Sequence, residues 1–196
     1  MCFHNGIRAK GISPVKIQDY PTLKDYFDSF GKEFWNRGEQ GDTVYNLRNC
    51  AYLDKYKYPK ILYADIVQDE GRFYLDEEGY YTNDTAFMIS GGTHLHFLLG
   101  ILNSTAFTFF YKNFYCGSKL GKKGLRYKRD FLLKVPIPMP SNNQEEVIKD
   151  YVRIIQKKKK NNAQSDTSVE ERKIDNIVFD LYGLTEEERN EIIKES

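Results

Sequence analysis

Hydrophobic positions along the chain change their period three times. From Pro21 onward, Leu23, Tyr26, Phe27, Phe30, Phe34 and Trp35 recur at helical spacing. Pro21 suits a first helical turn, Gly31 weakens the middle, and Arg37-Gly38 supplies a stop. After Pro59 the pattern becomes β-branched and aromatic. Lys60 to Val67, Arg72 to Asp76 and Thr85 to Ser90 read as strands, with Asp76-Glu-Glu-Gly79 as a turn. Gly91-Gly92-Thr93 then opens a helix with Thr93 as its N-cap. Leu95, Leu98, Leu99, Leu102, Ala106, Phe109 and Phe110 form one wide apolar face on it.

Val135-Pro-Ile-Pro-Met-Pro140 is an extended exit, because residues before proline avoid the helical region. Beyond it the aromatics thin out. Ser141-x-x-Gln144, Ser168-x-x-Glu171 and Thr185-x-x-Glu188 are three capping-box patterns. Val147, Tyr151, Ile154 and Ile155 give the first of these helices its stripe, and Ile174, Ile177, Val178 and Leu181 give the second. The pattern predicts an α+β (mixed α/β) fold. A small mixed or antiparallel sheet carries packed helices and is followed by a C-terminal helical hairpin. It divides the chain into residues 1–140 and a helical segment, 141–196, packing on them.

Composition narrows the class. In 196 residues the aromatic fraction is 15%, with 15 Tyr and 13 Phe, which excludes a disordered chain. Lys+Arg 29 against Asp+Glu 28 excludes a nucleic-acid binder driven by net charge. The balance hides segregation, however. Residues 112–134 hold eight bases and the single acid Asp130, whereas residues 65–84 hold seven acids and the single base Arg72. Cys2, Cys50 and Cys116 are scattered and suit a reducing compartment. No apolar run reaches the roughly 20 residues of a membrane helix, and Met1 to Lys10 has no apolar signal region. The expectation is a soluble, cytoplasmic protein.

Most catalytic motifs fail on spacing. His94-x-His96 lacks completing ligands, so no metal site is expected. Cys50 reads as a small buried hydrophobe in preference to a nucleophile. Gly117-Ser-Lys-Leu-Gly-Lys-Lys has three residues between its glycines where a phosphate loop needs four, and Lys123 stands where a hydroxyl is required. Asp65, Asp69 and Glu70 suggest a nuclease metal site only weakly. The informative feature is the basic run. Lys112, Lys119, Lys122, Lys123, Arg126, Lys128, Arg129 and Lys134 interleave with Gly117, Gly121 and Gly124 and with Tyr111, Tyr115 and Tyr127. Glycines admit phosphates close to the backbone, cations neutralise them, and Tyr or Arg stacks on bases. A solvated lysine-rich loop has the same composition, so both readings stand. Lys157 to Lys160 ends a helix, where cations favour the dipole.

Several collinear segments resemble one family. They are Phe3-His-Asn-Gly6, Ile17-x-Asp-Tyr-Pro21, Tyr45-Asn-Leu-Arg-Asn-Cys-Ala-Tyr52 and Pro59-Lys-Ile-Leu-Tyr-x-Asp-Ile66. Leu98-Leu-x-Ile-Leu-Asn-Ser104, Gly124-Leu-Arg-Tyr127 and Leu133-x-Val-Pro-Ile-Pro138 follow. Their order is similar to that of the TaqI-like C-terminal specificity domain of type IIG restriction–modification enzymes and adenine-N6 DNA methyltransferases. The resemblance implies a target recognition domain for double-stranded DNA over residues 1–140. It implies no catalytic activity in this chain, because the Asn/Asp-Pro-Pro-Tyr/Phe motif of the methyltransferase module is nowhere in it. S-adenosylmethionine and magnesium would belong to methyltransferase and endonuclease modules acting in cis or in trans. The early position of Phe3-His-Asn-Gly6 implies a fragment or a split gene product.

The expected DNA contacts are Arg48, Asn49, Lys112, Lys119, Lys122, Lys123, Arg126, Tyr127, Lys128 and Arg129. For Arg48 and Asn49 the alternative is a loop held by local hydrogen bonds, and Arg126 and Tyr127 could likewise support their own loop. Other function classes are a protein–protein module in a phage-defence assembly and a stand-alone nuclease.

Overall fold

The computed structural model describes residues 2–68, 72–117, 119–120 and 124–195, with the backbone alone at 119 and 120. It divides into two compact units, Met1–Lys57 and Tyr58–Ser196. In the first, α1 (Pro21–Asp28) and α2 (Lys32–Trp35) replace the single expected helix. Gly31 separates them with φ 60, a left-handed conformation that glycine adopts at little cost. The core of this unit is aromatic: Phe3 meets Tyr20 and Phe27 edge-on, and Phe27 stacks on Phe34 at 5.1 Å.

The second unit carries two antiparallel sheets. The first has the order β3-β1-β4, with β1 (Lys60–Ala64) central between β3 (Phe73–Asp76) and β4 (Ala86–Ser90). Register pairs Ile61 with Leu75 and Ile89, and Tyr63 with Phe73 and Phe87. Strand alternation therefore places Ile61, Tyr63, Phe73 and Leu75 on one buried face. The second sheet has the order β2-β6-β5, formed by β2 (Ile66–Gln68), β6 (Gly124–Arg126) and the two-residue β5 (Lys119–Leu120).

The expected strand Lys60 to Val67 is thus two strands in two sheets. Asp65 is the crossing point: its N–H donates to Thr85 O at 3.0 Å, and its carbonyl accepts from Tyr127 N at 2.7 Å.

α3 (Leu95–Leu102) covers the first sheet and is followed by α4 (Thr105–Phe110) and a π-helical turn, Tyr111–Tyr115. The expected Thr93 cap is corrected: α3 begins after His94 with no side-chain cap. The single long helix also divides at Ser104, whose hydroxyl accepts from Phe107 N at 3.2 Å. Asp175 completes this second start, accepting from Thr105 N at 2.8 Å and Thr105 Oγ1 at 2.6 Å. Burial pushes the Asp175 carboxyl above its ordinary range.

α6 (Asn142–Asn161), α7 (Ser168–Leu181) and α8 (Glu186–Glu195) follow the proline-rich exit. The capping box at Ser141 and Gln144 forms, and Thr185 and Glu188 make reciprocal bonds of the same kind. At α7 the expected Ser168-x-x-Glu171 box does not form: Thr167 is the N-cap position without a side-chain cap bond, and its hydroxyl donates to Glu171 Oε1 at 2.6 Å. The α6 stripe centres on Ile148 and Val152, while Ile154 faces solvent. At the end of α6, Lys158 pairs with Glu170, Lys159 donates to Ser165 O and Lys160 pairs with Glu78. These lysines fasten the neighbouring connector and the β3 turn. No helix among the described residues is long and apolar enough to cross a membrane.

Two contacts set the stability of this unit. Lys60 and Asp76 form an ion pair with both side chains fully buried. Asp76 also accepts from the N–H groups of Glu78, Gly79 and Tyr80, which fixes the turn after β3. Burial alone would raise the Asp76 carboxyl, but Lys60 and these N–H groups outweigh it and hold the carboxyl below its usual range. The second contact is the approach of α3 to α6 at Gly100, where an added Cβ would lie 2.5 Å from Ile148 Cγ2.

Asp76→Ala should cost about 3–5 kcal/mol, because it breaks a buried ion pair by removing one partner. The native carboxyl titrates lower than the unfolded one, so its contribution is present above the unfolded value and is lost as pH falls through the folded value. Urea unfolding of the parent from neutral pH down to pH 3 should show that loss, and Asp76→Asn should lack it. Gly100→Ala gains about 1 kcal/mol of helix propensity. It should still destabilise, since overpacking against a stiff, buried isoleucine costs about 1–3 kcal/mol. A higher urea midpoint for this variant would show that α6 yields at no cost.

Candidate nucleic-acid interface

The basic run folds into the second sheet and the segment after it. β6 is the central strand, so its backbone is held from both sides: Ile66 pairs with Arg126, Val67 with Leu125, and Lys119 with Leu125. Leu125 points into the core. Alternation then turns Arg126 the other way, and its side chain is 39% exposed. Its Nε donates to Asp65 Oδ2 at 3.0 Å, and its carbonyl accepts from Tyr111 Oη at 2.7 Å. Lys128 and Arg129 follow as exposed residues at the start of α5 (Arg129–Leu132). Arg129 lies 3.6 Å from Asp130, an exposed and therefore weak pairing.

Several expectations for this run are corrected. Tyr127 does not present its ring for base stacking. It is 1% exposed and stacks on Tyr111 at 4.2 Å and 8°, with Phe73 edge-on at 5.4 Å. Tyr111 is fully buried as well, and burial pushes its phenol well above the ordinary range. Gly117 packs closely on a ring: a Cβ there would lie 2.3 Å from Phe131 Cζ. Lys134 rests over the Phe131 ring at 5.5 Å, and Lys112 is half-buried on the π-helical turn. Lys119 contributes its backbone to β5. Lys122 and Lys123 lie outside the described residues, as do Asp69 and Glu70 of the weak nuclease motif.

In the first unit, the two asparagine-containing motifs explain each other. Asn5 Nδ2 donates to Asn49 Oδ1 at 2.6 Å and to Asp42 Oδ1 at 3.0 Å, while Asn5 Oδ1 accepts from Asp42 N. Buried Asn46 donates to the carbonyls of His4 and Val15. Gly41 must be glycine here, because a Cβ would lie 2.5 Å from Leu47 O and 2.8 Å from the Asn5 side chain. Arg37 closes the loop by donating to the carbonyls of Val44 and Asn46.

Asn49 thus fastens its loop to Asn5, accepting one side-chain hydrogen bond. Arg48 projects from the same loop, exposed, and pairs with the equally exposed Glu39 at 2.7 Å. Such a pair exchanges readily for another partner, since its net stabilisation is small.

His94 and His96 serve different carboxylates. His94 Nδ1 lies 2.5 Å from Glu145 Oε1, tying the start of α3 to α6, and His96 Nε2 lies 3.9 Å from Glu77. Burial lowers the His96 imidazole below its ordinary range.

Inspection of the sequence placed Asp65 only in a weak nuclease set and missed its pairing with Arg126. Its signal was an acid within an otherwise apolar strand pattern, Ile61 to Val67, where a charge needs a partner.

Chemically, this arrangement offers cations on a central strand and at a short helix start, with the rings of Tyr111 and Tyr127 withdrawn into the core. No curated protein matches the chain. Residues 10–137 match the family described as the TaqI-like C-terminal specificity domain. That stretch runs from the first unit through β6, α5 and the proline-rich exit, so the chain belongs to the TaqI-like C-terminal specificity domain family, a membership that implies a role in DNA recognition.

Proposed function

We propose that the chain is the sequence-reading module of a restriction–modification enzyme, binding double-stranded DNA and directing adenine methylation or cleavage performed by modules outside this sequence. The observation that carries this reading is the placement of the basic run. Lys128 and Arg129 stand exposed directly after a central strand whose other face is core. A rigid support is what register-setting phosphate contacts require. Lys112, Lys119, Lys122 and Lys123 extend the same cationic segment along the chain and act with them on phosphates.

Base contacts fall to arginine. Arg48 is exposed at the paired base of its loop, its N–H bonded to Glu39 O, and its side chain has a surface glutamate to exchange. Its planar fork matches the N7 and O6 acceptors of guanine in the major groove. Asn49 supports Arg48 by fixing the loop.

Residues 1–140 carry recognition in this account, and 141–196 support them. The C-terminal segment has thirteen acids and ten bases, and Ile148, Val152, Ile174 and Val178 are turned inward. The chain itself needs no cofactor for binding, and S-adenosylmethionine and metal belong to the catalytic partners. The family's restriction–modification setting is bacterial defence chemistry, so the working compartment is the cytoplasm.

Substituting Lys128 and Arg129 together by alanine should weaken binding to all duplexes about equally. The log–log salt slope should become shallower by about 0.9 for each phosphate that is no longer neutralised. Melting temperature should hold within a degree or two, because exposed charges add little stability. Fluorescence anisotropy with labelled duplexes from 50 to 200 mM salt measures both quantities. An unchanged slope and affinity would reduce the run to a solvated surface. Strand cleavage by the purified chain with a divalent metal would instead make it a nuclease.

A further inference from the structure

Asp65 and Arg126 form a unit that the family match does not describe. Arg126 is fixed at its backbone by the Ile66 pairing and by Tyr111 Oη on its carbonyl. Its neighbour Tyr127 is fixed by Asp65 O at 2.7 Å and by the ring stack on Tyr111. The Arg126 side chain is then held at Nε, by Asp65 Oδ2 at 3.0 Å. Among the described residues, Nη1 and Nη2 of Arg126 donate no hydrogen bond, the one from this side chain being that of Nε. The carboxylate is largely covered, 16% exposed, whereas the arginine side chain is 39% exposed. An Nε-bound carboxylate leaves the outer edge of the guanidinium, the edge that makes bidentate bonds, directed away from the acid.

We propose that Asp65 is a positioning residue that holds Arg126 for bidentate recognition of a guanine edge, and so makes Arg126 a base reader and not a phosphate contact. The inference rests on the DNA-recognition reading above. Three physical points support it. A long arginine side chain loses rotamer freedom when it binds, and an acid that has already fixed it removes part of that cost. Phosphate contact needs only a cation, whereas an adjacent carboxylate repels phosphate and is tolerated where geometry matters more than charge. Finally, Asp65 is itself immobile, because its N–H and carbonyl are engaged across both sheets.

The test is selection from a randomised duplex pool, with sequencing of the bound fraction, for the parent, Arg126→Ala, Asp65→Ala and Asp65→Asn. The parent is expected to select a motif containing a guanine that Arg126→Ala ceases to prefer, with discrimination falling roughly ten-fold or more at that position. Asp65→Ala should lose preference at the same guanine and keep it elsewhere. Asp65→Asn retains an oxygen for Nε and should recover part of the preference, which a merely structural role would not produce.

The proposal is overturned if the Asp65 variants bind every duplex more tightly with the motif unchanged, because the acid then only neutralises a phosphate contact. It is equally overturned if both residues can be replaced without loss of the guanine. Should Asp65→Ala not fold, Asp65→Asn decides: weakened preference at that one base supports the assignment, and unchanged preference removes it. A parent chain that binds no duplex defeats the DNA reading itself, an outcome distinct from a selected motif that ignores Asp65.

Discussion

The crossing of the chain at Asp65 is the constraint on which the proposed recognition surface depends. One residue leaves the first sheet, enters the second and engages its N–H, carbonyl and carboxylate across that junction: N–H to Thr85 O, carbonyl from Tyr127 N–H, Oδ2 from Arg126 Nε. Buried or half-buried polar groups demand such pairing. Meeting the demand here ties β1 to β2, positions β6 between β2 and β5, and aims Arg126 outward. The aromatic stack of Tyr111 and Tyr127 locks the same junction from the core side. Rigidity at the surface therefore follows from packing beneath it, and a basic segment with no such support would lose more entropy for every contact made.

Helix ends are managed in the same economical way. α4 starts against two acceptors, Ser104 from its own chain segment and Asp175 from α7, so helix formation in the middle of the unit depends on a residue 70 positions later. The lysine run at the end of α6 looks like a solvated tail in sequence, yet Lys158, Lys159 and Lys160 each have a defined acceptor. The acid-rich segment after β3 supplies one of them, Glu78. Charge segregation along the chain is therefore partly resolved within the fold, while Lys128 and Arg129 of the basic run stay exposed.

What the sequence made legible was local. The strands at Phe73–Asp76 and Ala86–Ser90, the Ser141 and Thr185 caps and the inward stripe of α7 depend on neighbours a few residues apart, and they stand where the pattern put them, whereas the runs from Pro21, Lys60 and Leu95 each divide in two. Long-range partnerships were not legible. The hydrophobic run Lys60 to Val67 has no local sign that it serves two sheets. The interleaved tyrosines of the basic run read as surface rings because composition cannot report which strand face is buried. Tyr127 lies inward because Leu125 and Tyr127 share a face of the extended segment, a fact set by register. Asn5 and Asn49 are far apart in sequence, and their shared role in one loop appears only when the two motifs are brought together.

The central claim is that duplex DNA is held at the β6–α5 segment and at the Arg48 loop. Titrating an isotopically labelled chain with a duplex bearing its selected motif, and following backbone amide and arginine Nε signals, tests this most directly. The account predicts that shifts concentrate on residues 124–129 and on Arg48, with the Arg126 Nε signal among the most displaced. Shifts confined to α6, α7 and α8, with Arg126 and Arg129 unmoved at saturation, would contradict it.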